Sequence, residues 1–274
     1  MNDRDQSMRT DDQREFDTGA ERTDREKSSI RPGTAIQTDP NEFEKVARSR
    51  RSTRAYSDDR VSESVMQKCL ELALVAPNSS NLQPWEFYWV RSEEKRKKLV
   101  DYCLGQNTAK TAAEIIVVVA RMDTWKRNAQ LMLKSFEKQD VDVPKSALQY
   151  YKKIVPLAYN QGFLGWFGFL KRIAINIMAF SKPMPRQPKS KSDMRVWAHK
   201  STALACENLM LAFRAYGYDT CPMEGLDQRR VRKLLDVPYG KGEVCMAISV
   251  GKRAKNGIYG PRIRFDRDLF VKEV

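Results

Sequence analysis

Three guanidinium groups fall within five residues at Arg50-Arg51-Ser52-Thr53-Arg54. Cations at that density suit one chemistry above others, the binding of an extended polyanion. Planar guanidinium forks take phosphate oxygens two at a time, and the Ser52 hydroxyl and nearby backbone N–H groups can complete the shell. If the chain is extended here, alternate side chains share a side, so Arg50, Ser52 and Arg54 converge on one ligand while Arg51 faces elsewhere. Read alone, the same segment is better taken as a solvated, basic helix end. A second polar run, Asn78-Ser79-Ser80-Asn81, lies between Pro77 and Gln83-Pro84-Trp85-Glu86-Phe87, and a second arginine pair, Arg262 and Arg264, lies near the other end of the chain.

These residues need elements to position them. Asp39 and Pro40 are the N-cap and first position of a short helix anchored by Phe43, Val46 and Ala47, and the arginines follow where it ends. Ser62 caps a helix carrying Val65, Cys69, Leu72, Ala73 and Ala76 inward, which stops at Pro77. Phe87 to Val90 reads as a strand and Ser92 as the start of a Lys/Glu-rich helix. Ile115 to Ala120 is apolar on both faces, the mark of a central strand in a sheet covered on two sides. A long helix from about Met194 to Tyr216 has Ala198, Leu204, Ala205, Leu209 and Ala212 or Phe213 inward, and Gly217 ends it. Asp227 caps a short basic helix, and Val244 to Val250 is a further buried strand.

Residues 123–196 read as a helical insert. Trp125 to Phe136 and Ser146 to Tyr159 have helical patterns. The run 163–180 is apolar but carries Lys171 and Arg172 at its middle, which excludes a membrane span. On a helix its small and polar residues Gly165, Gly168, Arg172, Asn176 and Ala179 take one side and an aromatic and aliphatic face the other. That face is expected to be a cap on the core or a dimer contact, with an active-site lid or an interfacial membrane helix as alternatives.

The 274 residues carry 49 Lys+Arg against 35 Asp+Glu, a net charge of +14 that favours phosphorylated cofactors, anionic surfaces or nucleic acid as partners. Residues 1–38 are polar and nearly free of apolar side chains, so they are expected to be disordered. Five cysteines without a C-x-x-C pair suggest reduced thiols, and no apolar leader opens the chain, so a cytoplasmic protein is expected. Cys221 reads as a packed thiol, and His199, the one histidine, has no evident partner. The G-x-G-x-x-G and P-loop signatures are absent, so a nucleotide would have to be held by the arginine-rich pieces.

Five pieces occur in a telling order: R-R-S-x-R at 50–54, P-x-x-x-N-x-Q-P-W-x-F at 77–87, Glu207 to Ala212, Pro222-Met223-Glu224-Gly225, and Val250-Gly251 followed by Pro261 to Arg264. Together they resemble the nitroreductase superfamily of FMN-dependent oxidoreductases, over about 41–122 and 197–270. The resemblance implies an α+β fold from residue 39 onward, a mixed, mostly antiparallel sheet flanked by helices, assembled as a homodimer with FMN at the interface. It implies ping-pong hydride transfer from NADH or NADPH through FMN to a nitroaromatic or quinone. The implied cofactor-binding set is Arg50, Arg51, Ser52, Arg54, Asn78, Ser79, Ser80, Asn81, Pro222, Met223, Glu224, Gly225, Arg262 and Arg264. Within it Arg50, Ser52, Arg262 and Arg264 serve the phosphate and ribityl end, and Arg54 serves the flavin pyrimidine edge. The backbone N–H groups of Glu224 and Gly225 stand at flavin N5, and Asn78 to Asn81 approach from the other subunit. No catalytic side-chain base and no metal are implied. Two alternatives stand beside this reading. One is a reductive dehalogenase-like chemistry under a lid using Tyr150, Tyr151, Lys152 and Lys153. The other is a non-enzymatic basic module for anionic membrane or nucleic acid.

Overall fold

The computed structural model describes residues 37–138, 143–162 and 165–274. The expected disorder of the N-terminal tail therefore falls, up to residue 36, outside the described residues, as do Phe163 and Leu164. Contacts divide the chain after Phe43. Of the first unit only 37–43 are described. There helix α1 (Pro40–Ser49) begins, with the Asp39 carboxylate accepting from the Asn41 N–H at 2.8 Å. Phe43, expected to anchor α1, is exposed.

The second unit, from Glu44, is an α+β domain built on four strands: β1 (Trp85–Trp89), β2 (Glu114–Arg121), β3 (Asp219–Met223) and β4 (Gly242–Gly251). Their order is β1-β2-β4-β3, and every neighbouring pair is antiparallel. Residues Ile115 to Ala120 of β2 are fully buried on both faces, as the unbroken apolar run predicts. One face of the sheet packs Val117, Val119 and Ala247 against α3 (Glu93–Tyr102), α4 (Asn107–Thr111) and α10 (Gln228–Leu234). The other packs Ile116, Val118 and Ile248 against α2 (Glu63–Leu74) and the long helix α9 (Lys191–Ala215).

The insert supplies α5 (Trp125–Lys138), α6 (Lys145–Gln149), a π-helical turn at Tyr150–Ile154, α7 (Val155–Tyr159) and α8 (Trp166–Met178). Its first part is core. Ala129, Tyr151, Val155 and Tyr159 pack on Trp197 and Ala198 of α9 and on Leu82 and Ala120.

The caps expected at Ser62 and Asp227 form, each side chain accepting a backbone N–H of the first turn. Three expectations need correction. Leu72 and Leu204 are about half exposed. The buried residues Met66, Cys69 and Ala73 follow one narrow helical line, from which Leu72 is rotated by roughly a third of a turn. In α9 the buried line runs through Ala198, Ser201, Ala205 and Leu209 and leaves Leu204 outside. Third, α9 begins at Lys191 rather than Met194, because Ser190 accepts from the Asp193 N–H at 3.0 Å.

The arginine-bearing segment is laid against the outer edge of this sheet. Ser52 bridges Thr220 of β3 in parallel, and the Thr53 N–H donates to the Thr220 carbonyl at 3.1 Å. This is the parallel element that makes an otherwise antiparallel arrangement mixed, and it covers an edge strand that would otherwise be open. On its other side the strap pairs with the chain leaving β4, through Arg54 N–H to Gly257 O at 2.8 Å, Ala254 N–H to Ala55 O at 3.1 Å and Ser57 N–H to Lys252 O at 2.9 Å. Glycine is required at Gly257, where a Cβ would stand 2.6 Å from the Ala55 oxygen, and at Gly251, where it would stand 2.9 Å from the Tyr56 ring.

Buried hydroxyls lock the strap from below. Thr108 of α4 donates to the Thr53 carbonyl at 2.9 Å and lies 2.7 Å from Ser249 Oγ, which in turn meets the Tyr56 hydroxyl at 2.9 Å. Burial pushes the Tyr56 phenol well above its usual range, so it remains a neutral partner. The foot of β3 is held by charge instead, where the buried Asp219 carboxylate takes Arg214 at 2.8 Å and Arg253 at 2.7 Å.

Thr108→Val keeps the shape and removes the hydroxyl, leaving the Thr53 carbonyl unpaired in the interior. It should lower the free energy of unfolding by about 2 kcal/mol in urea titration. Combined with Ser249→Ala it should lose less than the sum of the two, because both act through one network.

Candidate functional site

The strap brings the predicted arginines to one edge of the domain. Arg262 crosses from the far end of the chain and donates to the carbonyls of Arg48, at 2.7 Å, and Arg50. Arg51 donates to the Gly260 carbonyl at 2.8 Å. Arg51, expected to face away, thus joins the same cluster. Desolvation, followed by repulsion from Arg264, Arg51, Arg50 and Arg48, holds the Arg262 guanidinium below its ordinary value. Arg48 has a partner in Glu44, one helical turn back. Among the described residues no carboxylate pairs with Arg50, Arg51, Arg54, Arg262 or Arg264. An anion that joined these gathered like charges would relieve their repulsion, so the cluster has the character of a polyanion cradle.

Arg54 stands further along the strap with its guanidinium carbon 5.5 Å from the Tyr259 ring centroid. Because the strap runs parallel to β3, four residues of extended chain, roughly 13 Å, separate Arg50 from Arg54 in the same direction that β3 travels towards Glu224. Beneath them Cys221 is buried, which raises its thiol, against lowering by Thr108, Arg54, Ser52 and Arg50. It is the packed thiol that the sequence suggests. The hydroxyls of Thr53 and Thr220, both buried at the seam of strap and strand, have no partner among the described residues.

Pro222 and Met223, read from sequence as part of a loop, are the last residues of β3, and the turn begins at Glu224. The Glu224 carbonyl accepts from the Leu226 N–H at 2.9 Å, and the Gly225 carbonyl accepts from Gln106 Nε2 at 2.7 Å. In a trans peptide N–H and C=O point oppositely, so fixing the Glu224 carbonyl also fixes the direction of the Gly225 N–H. Among the described residues neither the Glu224 nor the Gly225 amide donates a hydrogen bond. A Cβ at Gly225 would meet only Gln106, at an ordinary 3.7 Å.

Sequence reading missed Gln106 and Asn107, which tie both sides of the site together. Asn107 Nδ2 donates to the Arg54 carbonyl at 2.8 Å while its neighbour holds Gly225. The signal was weak because α4 has only five residues and no apolar stripe.

Asn78 to Asn81 form a tight turn with left-handed backbone at Ser80 (φ 58°) and Asn81 (φ 46°). This turn meets the insert rather than the arginines. Ser80 Oγ lies 2.7 Å from the Tyr150 hydroxyl and 2.9 Å from that of Tyr159, and the Tyr151 hydroxyl donates to the Ser80 carbonyl at 2.9 Å. Tyr150 and Tyr151 are therefore engaged in bracing this turn, while Lys152 and Lys153 are exposed.

His199 also has partners the sequence did not reveal, because they lie more than 40 residues away on β4. Its Nε2 is 3.3 Å from Glu243 Oε2, and Arg195 holds the other Glu243 oxygen at 2.7 Å. Contact with Cys206 on α9, and then with His199, holds the Cys245 thiol below the usual range, and the same contact together with burial raises that of Cys206. Contact with Cys245 raises His199 in turn. Among the described residues no cluster of His, Cys, Asp and Glu could hold a metal ion, and no helix is long and apolar enough to cross a membrane.

A four-stranded antiparallel sheet between two helical layers, with an arginine-lined strap on its edge strand, defines the nitroreductase-like α+β fold. Solved structures share it. One is a Staphylococcus epidermidis protein described as an NAD(P)H:FMN oxidoreductase, with TM-score 0.67, 20% identity, and coverage of 88% of this chain and 100% of that one. Another is an Exiguobacterium sibiricum protein in complex with FMN, with TM-score 0.65, 24% identity and the same coverage. The Nitroreductase family model matches residues 47–252, and the chain belongs to that family. Among curated relatives, YdgI of Bacillus subtilis (strain 168) is 28% identical over 228 residues, 82% of this chain and 95% of the relative. A protein of Thermus thermophilus named NADH dehydrogenase is 26% identical over 222 residues, 81% of this chain and 92% of the relative.

Because its thiolate is favoured, Cys245 should react with iodoacetamide at neutral pH ahead of Cys69, Cys103, Cys206 and Cys221, all raised by their surroundings. His199→Ala should slow that labelling, because it removes one of the contacts that favour the thiolate. Peptide mapping by mass spectrometry against time gives both rates.

Proposed function

We propose that the chain is an FMN-dependent oxidoreductase that takes hydride from NADH or NADPH and delivers it to a nitroaromatic, quinone or similar acceptor. The observation that carries this reading is the gathering of Arg50, Arg51, Arg262 and Arg264 from both ends of the chain, without carboxylate partners among the described residues, on the edge of β3. Family membership supports it, as do the names of relatives: YdgI carries a provisional NAD(P)H nitroreductase name, and the Thermus protein is named for NADH.

FMN, when bound, supplies the hydride acceptor and donor. The residues present fit such a group. The arginine cradle suits its phosphate, and the unpartnered Thr53 and Thr220 hydroxyls lie along the same seam. Arg54 offers a fixed positive charge where the pyrimidine edge gains negative charge on reduction. The undonated amides of Glu224 and Gly225 offer hydrogen bonds to a ring nitrogen, at positions Gln106 makes rigid. No side chain need take up a proton for hydride to move.

We further propose a homodimer. Asn78 to Asn81 do not meet the arginines within one chain, which suits their joining the site of a second copy. The C-terminal segment also leaves Ile263, Phe265, Leu269 and Phe270 exposed, as an arm that wraps a partner would.

The visible spectrum of the purified protein tests the core of this reading. Flavin bands that bleach on anaerobic addition of NADPH or NADH are expected; a colourless protein that neither binds added FMN nor consumes nicotinamide would sink it. Arg262→Ala should weaken FMN binding about tenfold or more, through loss of charge-assisted hydrogen bonds worth about 1.5–3 kcal/mol. A flavin-fluorescence titration reads this. Arg54→Ala should lower turnover more than Glu224→Ala, since the latter residue contributes only its backbone.

A further inference from the structure

Helix α8 leaves most of its apolar residues outside the domain. The side it turns towards α7 and the following loop carries Gly168 and Lys171 together with Phe167 and Ile175. Lys171 Nζ caps the end of α7, donating to the carbonyls of Ala158 at 2.6 Å, Asn160 at 3.2 Å and Leu157 at 3.3 Å. Gly168 is buried so close to the following loop that a Cβ would stand 2.9 Å from the Lys189 carbonyl. Another apolar line faces the other way. Trp166, Phe169, Ile173 and Ile177 recur at intervals of three and four along the helix, with exposures from 45% at Ile173 to 69% at Ile177, and Phe180 just past its end is 98% exposed. Behind this line, between α7, α8 and the loop carrying Met184 and Pro185, lies an open hollow of about 510 Å³ with an almost wholly apolar lining.

Charge surrounds the stripe. From 143 to 200 the chain carries eleven Lys and Arg against a single acid, Asp193. Lys152, Lys153, Arg172, Lys182, Arg186 and Lys191 are exposed. A second copy laid on this face would bring the same excess of positive charge against it. Nucleic acid would satisfy the cations but gain nothing from the aliphatic line. An anionic bilayer satisfies both, taking the side chains into its acyl boundary and the cations at its headgroups.

We propose that the α8 face docks on anionic lipid membranes, with the stripe inserted at the interface and the hollow behind it open to an acyl chain. The helix lies on the surface and does not span it. This attachment is independent of whether the domain reduces the acceptors named above.

Co-sedimentation of the full chain with phosphatidylcholine vesicles, with and without phosphatidylglycerol, is the test. Binding only to the phosphatidylglycerol vesicles, weakened by salt, is expected. The triple variant Phe169→Ser, Ile173→Ser, Ile177→Ser should bind about tenfold less or weaker still while circular dichroism and flavin content hold. Lys182→Glu with Arg186→Glu, which leaves helix packing untouched, should reduce binding as well and decides the matter if the triple variant misfolds. Trp166→Phe should remove most of the tryptophan quenching by brominated lipid. Absence of binding to either vesicle, or unchanged binding by both variants, would overturn the proposal. So would a serine variant whose only defect is a smaller assembly in analytical ultracentrifugation, which would give the face to a second copy.

Discussion

Everything at the candidate site hangs on the seating of residues 52–57, a stretch with no regular structure of its own whose backbone groups must still be paired. Hydrogen bonds to β3 on one side and to residues 252–257 on the other meet that need along its edges. The interior side is met by Thr108, Ser249 and Tyr56. Hydroxyls suit this place because they are small and both donate and accept. They also remain neutral, so their burial carries no charge penalty. A charged residue there would have to be paired, as Asp219 is at the foot of the same strand.

A rigid seat matters because its load is repulsive. Guanidinium groups drawn from positions 48–51 and 262–264 repel one another, and the hydrogen bonds of Arg262 to the Arg48 and Arg50 carbonyls and of Arg51 to the Gly260 carbonyl keep them together. An anion that enters offsets that repulsion. Binding and folding are coupled as a result: a ligand that recognises the gathered arginines recognises only the native chain, because residues about 210 apart in sequence meet nowhere else. The same logic sets the roles of Gln106 and Asn107. Each uses a neutral side-chain amide to fix a carbonyl, and neither adds charge to a site that already has an excess.

The sequence made legible what is carried by strong periodicity or by caps with a plain mechanism. The central strand β2 followed from six apolar residues in a row, and the starts of α2, α3 and α10 from Ser62, Ser92 and Asp227. The strap was legible as chemistry, since arginines at that density ask for an anion. Illegible were features whose cause is tertiary. Strand β3 contains Pro222 and opens with a charged residue, and only its pairing with β4 and the salt bridges of Asp219 make it a strand. Helix α4 is too short for a pattern. His199 looked alone because Glu243 and Cys245 reach it across the sheet from another element.

For α8 the sequence showed an apolar side, and of the covers expected for it the core of the same chain is not the one found: Trp166, Phe169, Ile173 and Ile177 are exposed, as are Arg172 and Asn176 of the polar side. Periodicity reports that a helix has two faces; which face meets the body depends on what the body offers. Here α7 ends in carbonyls that need a donor, and Lys171 is the donor that reaches them, so a polar contact fixes which side of α8 meets the body, with Phe167 and Ile175 beside it. Burial lowers the Lys171 ammonium, and three carbonyls offset that loss of solvation. The insert is thus two structures in succession. Its first half, through the tyrosines that meet Ser79 and Ser80, is part of the scaffold that shapes the 78–81 turn. Its second half leaves its apolar side in water, where it loses the free energy that burial would recover, and that loss is the reason to look outside the chain for what covers it.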